Sequence, residues 1–126
     1  MTKFKLLKLP LAFAIALVGG SALADGDATA GKKVFKKCQA CHALEAGKKK
    51  IGPSLHGIFG RKAGSVDGFK FSKAMKASDI VWDEENMDKF LAKPKTVLPG
   101  TRMVFAGLKK DDQRKNLIAY LMQATR

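Results

Sequence analysis

Apolar positions near the start of the chain form one unbroken run, Leu9 to Val18, behind a basic head of Lys3, Lys5 and Lys8. Beyond it the pattern breaks into short periodic segments. Asp27, a good N-cap, precedes Val34 and Phe35 and predicts a first helix to about Lys37. From Leu44 to Phe71 no period holds. Glycines recur at 47, 52, 57, 60, 64 and 68, which argues for turns. Ser72 to Ala77 fits one short helix. Asp83 caps another over Glu84 to Ala92, where Met87, Phe90 and Leu91 share a face at i, i+3 and i+4, and Pro94 stops it. Asp111 opens the last helix, with Leu117, Tyr120, Leu121 and Ala124 in one stripe. The expected architecture is all-α, one domain with long loops and neither repeats nor low-complexity linkers.

The leading run changes where this domain is expected to work. A basic head, a short apolar stretch and the small-x-small triplet Ala22-Leu23-Ala24 make a secretory signal peptide. The run is too short to span about 30 Å of hydrocarbon, which takes roughly 20 apolar residues. Residues 1–24 are therefore read as a cleaved leader and 25–126 as the mature domain, exported to the periplasm with no transmembrane segment.

Charge then narrows the partners. The full chain carries a formal net charge of +13, mostly lysine, with Arg61, Arg102, Arg114 and Arg126 as the arginines. Nucleic acid is the first reading of such a charge. Export and the lack of arginine–aromatic clusters argue against it, and an acidic protein partner fits better.

Both cysteines stand in Lys37-Cys38-Gln39-Ala40-Cys41-His42. An exported pair of cysteines ordinarily means a disulfide. A thioredoxin-like C-x-x-C wants a βαβ setting that is missing here. Zinc wants four ligands, and the only other histidine is His56, read as an exposed loop residue. The spacing C-x-x-C-H is instead the attachment signature of c-type haem. Cys38 and Cys41 would each form a thioether with a vinyl group, and His42 would bind the iron.

A sixth iron ligand must then be sought among the methionines. Met1 leaves with the leader, Met87 has core spacing, Met122 lies in the last helix, and Met75 has no special context. Met103 follows Leu98-Pro99-Gly100-Thr101-Arg102, a non-helical turn able to present a side chain inward. Met/His ligation raises the reduction potential.

Together these segments resemble a class I cytochrome c, close to bacterial cytochrome c2 and mitochondrial cytochrome c. The resemblance covers nearly all of Asp25 to Thr125. It is carried by GKKVFKKCQACH, GPSLHGIFGRKAG, Val81-Trp82 and KPKTVLPGTRMVFAGLKKDDQRKNLIAYL, in the family's order and spacing save one residue fewer in the lysine loop at Lys48 to Lys50. It implies four to five short helices and long loops wrapped around one covalent haem c, bound through Cys38 and Cys41 and ligated by His42 and Met103. It further implies that Pro53 accepts a hydrogen bond from His42, that Arg61 and Trp82 hold a haem propionate, and that Thr101 lies near the ring. Gly31 costs its helix roughly 1 kcal/mol relative to alanine. The resemblance explains it by a crossing of the first and last helices, with Gly31 and Phe35 against Leu117 and Tyr120. Phe71, Phe90 and Met75 depart from the family, each replacing a hydrogen-bonding residue.

The same resemblance sets Lys33, Lys37, Lys48, Lys50, Lys95, Arg102, Lys109 and Lys110 around the exposed haem edge, but not Lys70 or Lys115. The function it implies is a monomeric, soluble periplasmic electron carrier, not an enzyme. Acidic redox proteins would be its partners: a bc1-type complex, a terminal oxidase, a photosynthetic reaction centre or a dehydrogenase. A haem peroxidase or ligand sensor needs an open sixth site, and Met103 would close it.

Overall fold

The computed structural model describes residues 26–126, so the leader expected over 1–24 lies outside the described residues. Five helices follow one another: α1 (Ala28–Phe35), α2 (Lys73–Ala77), α3 (Glu84–Ala92), α4 (Pro94–Val97) and α5 (Asp111–Ala124). Three begin where a side chain accepts from otherwise unpaired first-turn amides. Asp27 accepts from Thr29 and Ala30, Ser72 from Met75, and Asp83 from Asn86. The only β-pairing among the described residues is an isolated bridge between Lys62 and Val81. No described helix is long and apolar enough to cross a membrane.

One boundary falls short of expectation, and two hold with a detail the sequence does not show. α1 gives way after Phe35, short of Lys37, to tighter turns in which the amides of Lys37 and Cys38 bond to Val34 and Phe35 three residues back. Pro94 stops α3, yet it also starts α4, since a first helical residue needs no amide hydrogen and proline's φ already suits it. Asp111 opens α5 from within the helix; Lys110 holds the cap position without a side-chain hydrogen bond. Asp111 and Asp112 instead place negative charge at the helix's positive end.

The fold closes where α1 crosses α5. A Cβ on Gly31 would overlap the backbone carbonyl of Asn116 and meet Tyr120 Cβ at 2.8 Å, so only glycine permits this approach. Phe35 and Tyr120 pack nearby in a tilted pair, their ring centroids 5.5 Å apart. The Asn116 side chain accepts from the Asp27 amide at 2.8 Å, tying the start of α1 to the same turn of α5.

α5 is buried beyond the expected stripe, because α3 covers a second side of it. Leu117, Ile118, Ala119 and Leu121 are all buried, and so is Arg114. Arg114 donates to Asp88 of α3 at 2.8 Å, to the carbonyls of Leu108 and Lys109 at 2.8 and 3.1 Å, and to Asp111. A buried guanidinium is tolerated here because its donors find acceptors.

The crossing yields a direct test. Gly31→Val should force the two backbones apart and lower unfolding free energy by about 1–3 kcal/mol, the usual cost of overpacking. Guanidinium unfolding measures it, and unchanged stability would contradict a backbone-to-backbone contact.

Candidate functional site

The attachment motif hangs from the end of α1. The Cys38 and Gln39 amides donate to Phe35 O at 2.8 and 3.1 Å, and those of Cys41 and His42 to Cys38 O at 3.0 and 2.9 Å. These turns bring Cys38, Cys41 and His42 into one wall of a cleft of about 410 Å³. Leu91 of α3 and Leu117 and Leu121 of α5 line it from the other elements. Pro53, Arg61, Trp82, Thr101 and Met103 line the same cleft, so every candidate site residue meets there.

The imidazole of His42 is held at two places. Its Nδ1 lies 2.8 Å from the Pro53 carbonyl. A carbonyl only accepts, so Nδ1 carries the proton and Nε2 keeps its lone pair. Gly52 packs against the ring, where a Cβ would stand 2.5 Å from His42 Cε1. Burial pushes the His42 pKa below its ordinary value and outweighs the opposite effect of the Pro53 hydrogen bond. The ring is therefore neutral at pH 7, the form that ligates a metal. The two cysteines form no disulfide with each other, and both are half-buried. Burial first, and Cys41 second, push the Cys38 thiol up against the opposing effect of Lys37.

Arg61 and Trp82 reach the cleft through paired backbones. The Trp82 amide donates to Arg61 O at 2.9 Å, and the Gly60 amide to Trp82 O at 2.7 Å. The Arg61 Nη2 donates to His56 O at 2.6 Å, while its buried Nη1 has no partner among the described residues. A buried N–H of this kind needs an acceptor, and the cleft is where one can sit.

Met103 is partly buried against the core and lies beyond the turn at Gly100, whose φ of +89° calls for glycine. Its amide donates to Thr101 Oγ1 at 3.3 Å. Met75 and Met87 also line the cleft, so Met75 has more context than its sequence setting suggested. The departures Phe71 and Phe90 line it too. Phe90 packs edge-on against Trp82 at 5.0 Å, and Phe71 against Phe69 at 4.8 Å. These rings add to the apolar lining of the cleft.

Sequence reasoning misplaced three residues. Gly52 stood among the turn glycines, yet its φ is not positive; its role is contact with His42. His56 is half-buried, not exposed, and its carbonyl holds Arg61. Lys70, expected away from the edge, lines the cleft, and its carbonyl accepts from Arg102 Nη2 at 2.7 Å. Of the eight expected rim cations, Lys37 and Arg102 line the cleft. Lys33, Lys48, Lys50, Lys95, Lys109 and Lys110 are exposed. No sequence pattern singles out Ile51 and Val104. They line the cleft while 79% and 95% exposed, and only the folded chain reveals such apolar residues at a mouth.

Comparison with known proteins agrees with this geometry. The family described as Cytochrome c matches residues 28–125. Cytochrome c-554 of Methylosinus trichosporium is 43% identical over 124 residues, covering 98% of this chain and 94% of that protein. Cytochrome c2 iso-2 of Magnetospirillum molischianum is 56% identical over 95 residues, 75% of this chain and 95% of that one. Cytochrome cH from Methylobacterium extorquens shares the fold with a TM-score of 0.74 and 45% identity, covering 78% of this chain and 99% of that structure. From its five helices to its C-x-x-C-H turn, the chain thus belongs to the cytochrome c family, in its class I, whose members are electron carriers with a covalent haem c and not enzymes.

Proposed function

We propose that the protein is a periplasmic cytochrome c2-like electron shuttle whose haem iron is held between His42 and Met103. The observation that carries this reading is the convergence of Cys38, Cys41, His42 and Met103 on one apolar cleft. The residues fit the cofactor: Arg61 Nη1 is a buried donor without an acceptor among the described residues, as a propionate would require. The bound haem supplies a one-electron iron couple. The chain supplies two thiols for the thioethers, a neutral imidazole with its lone pair on Nε2, and a soft thioether that favours reduced iron. Pro53 fixes the imidazole's tautomer, Arg61 and Trp82 hold the propionate end, and the apolar wall excludes water. Nothing needs to leave or enter when one electron passes. The leader pattern in 1–24 supports export, with the mature chain, 25–126, working as a monomer.

Ligation is tested by substitution in the oxidised, haem-loaded protein. Met103→Ala should abolish the sulfur-to-iron absorption band, lower the reduction potential and let cyanide bind rapidly. Met87→Ala should keep the band and instead cost about 2–5 kcal/mol of stability, as for other buried methionines. Loss of the band on replacing Met87 or Met75, with retention in Met103→Ala, would contradict the assignment.

The basic surface supports acidic redox partners, of the bc1-type complex, terminal oxidase, reaction centre or dehydrogenase kinds. Lys37 lines the cleft, whereas Lys115 is exposed on α5. Lys37→Glu should therefore slow reaction with a terminal oxidase more than Lys115→Glu does, mainly through association. The difference should fade between 0.01 and 0.15 M salt, as the Debye length falls from about 30 to about 8 Å. Equal slowing by both variants in stopped-flow mixing would leave only a net-charge effect.

A further inference from the structure

The glycines of the 44–71 loop are of two kinds. Gly47, Gly57, Gly60, Gly64 and Gly68 have φ between +64° and +84°, which L side chains rarely adopt. Gly52 has no positive φ, so its backbone gives no reason for a glycine. The reason lies in the space a side chain would need. A Cβ there would stand 2.5 Å from His42 Cε1, 2.8 Å from Nδ1 and 3.0 Å from Nε2. A point beyond Cε1 in the ring plane would be much farther from both nitrogens than from the carbon. Three nearly equal distances belong instead to a point over the ring face. The place of a Gly52 Cβ therefore lies over the ring face, and the bare α-carbon turns that side toward the imidazole. It is anchored there, its amide donating to Cys41 O at 2.8 Å and its carbonyl accepting from the Lys50 amide at 3.1 Å.

We propose that Gly52 is a positioning residue, whose bare α-carbon sets the rotation of the His42 ring about its Cβ–Cγ bond. The proposal rests on the reading of His42 as the iron ligand. The Pro53 hydrogen bond fixes the tautomer and one edge of the ring. One edge contact leaves the ring free to rock; contact on the face removes that freedom. In the ferric haem-loaded protein the imidazole plane and the methionine sulfur lone pair would together select the iron d orbital that holds the unpaired electron. Gly52, by turning the imidazole, would thereby shift how spin density is shared among the haem methyl groups.

Proton NMR of the haem-loaded protein tests this without recourse to activity. In ferric Gly52→Ala the four haem methyl resonances should move and their spread change, while the iron stays low-spin. Gly47→Ala is the control: its φ of +72° strains an alanine, but nothing lies within 4 Å of that Cβ, so it should cost stability and leave the methyl pattern in place. Unmoved methyl resonances in Gly52→Ala would overturn the proposal. If Gly52→Ala does not accumulate, the unsubstituted ferrous protein decides. A nuclear Overhauser effect between the Gly52 α-protons and His42 Hε1 supports the face contact, and its absence overturns it. Failure of the underlying ligation reading looks different. The His42 ring protons of the unsubstituted ferrous protein would then lack the large upfield displacement of a ligand seated on the haem.

Discussion

The chain between α1 and α2, residues 36–72, forms no helix among the described residues and pairs only through the single bridge at Lys62. Such a stretch cannot close a domain by itself. Closure falls to the crossing of α1 and α5, where Gly31 lets one backbone touch another. The crossing also decides the site. The cysteines and His42 follow directly from the end of α1, and α5 contributes Leu117 and Leu121 to the lining of the same cleft. A change in the packing of the two helices would alter the width of the cleft. Stability and function therefore share one contact.

Within that frame the cleft has two unlike ends. Around His42 the backbone does the work: a carbonyl fixes one nitrogen, and an α-carbon lies against the ring. Met103 shares the cleft with Phe71, Phe90 and Met75, apolar residues where the resembling family carries hydrogen-bonding groups. Thr101 supplies a hydroxyl, which accepts from the Met103 amide. Arg61 brings the uncompensated donor, buried beside Trp82. A cofactor that is apolar over its face and anionic at one edge matches this division.

The helices were legible because their starts are written as caps. Asp27, Ser72 and Asp83 each use a short polar side chain that bonds its own first turn, and such bonds depend only on local sequence. The C-x-x-C-H spacing and the Pro-Gly turn before Met103 were legible for the same reason. What escaped depends on contacts between distant segments. Gly52 reads as one more turn glycine until His42 is folded against it. Lys70 joins the cleft because a loop without periodic pattern carries it there. The burial of Arg114 depends on Asp88, on another helix. The second helix at Pro94 was hidden by a residue that ends one helix and begins the next.

The central claim is that the iron sits between His42 and Met103. The most direct measurement needs no substitution of either ligand. Methionine labelled with ¹³C at its methyl group would be incorporated into the haem-loaded protein, and the ferrous form observed by carbon–proton correlation. Met75→Leu, Met87→Leu and Met122→Leu would identify the other methyl signals. The account predicts that the Met103 methyl is displaced farthest upfield, since a ligating thioether lies directly over the haem face. A Met103 methyl at the ordinary position, or a larger displacement at Met75 or Met87, would contradict it.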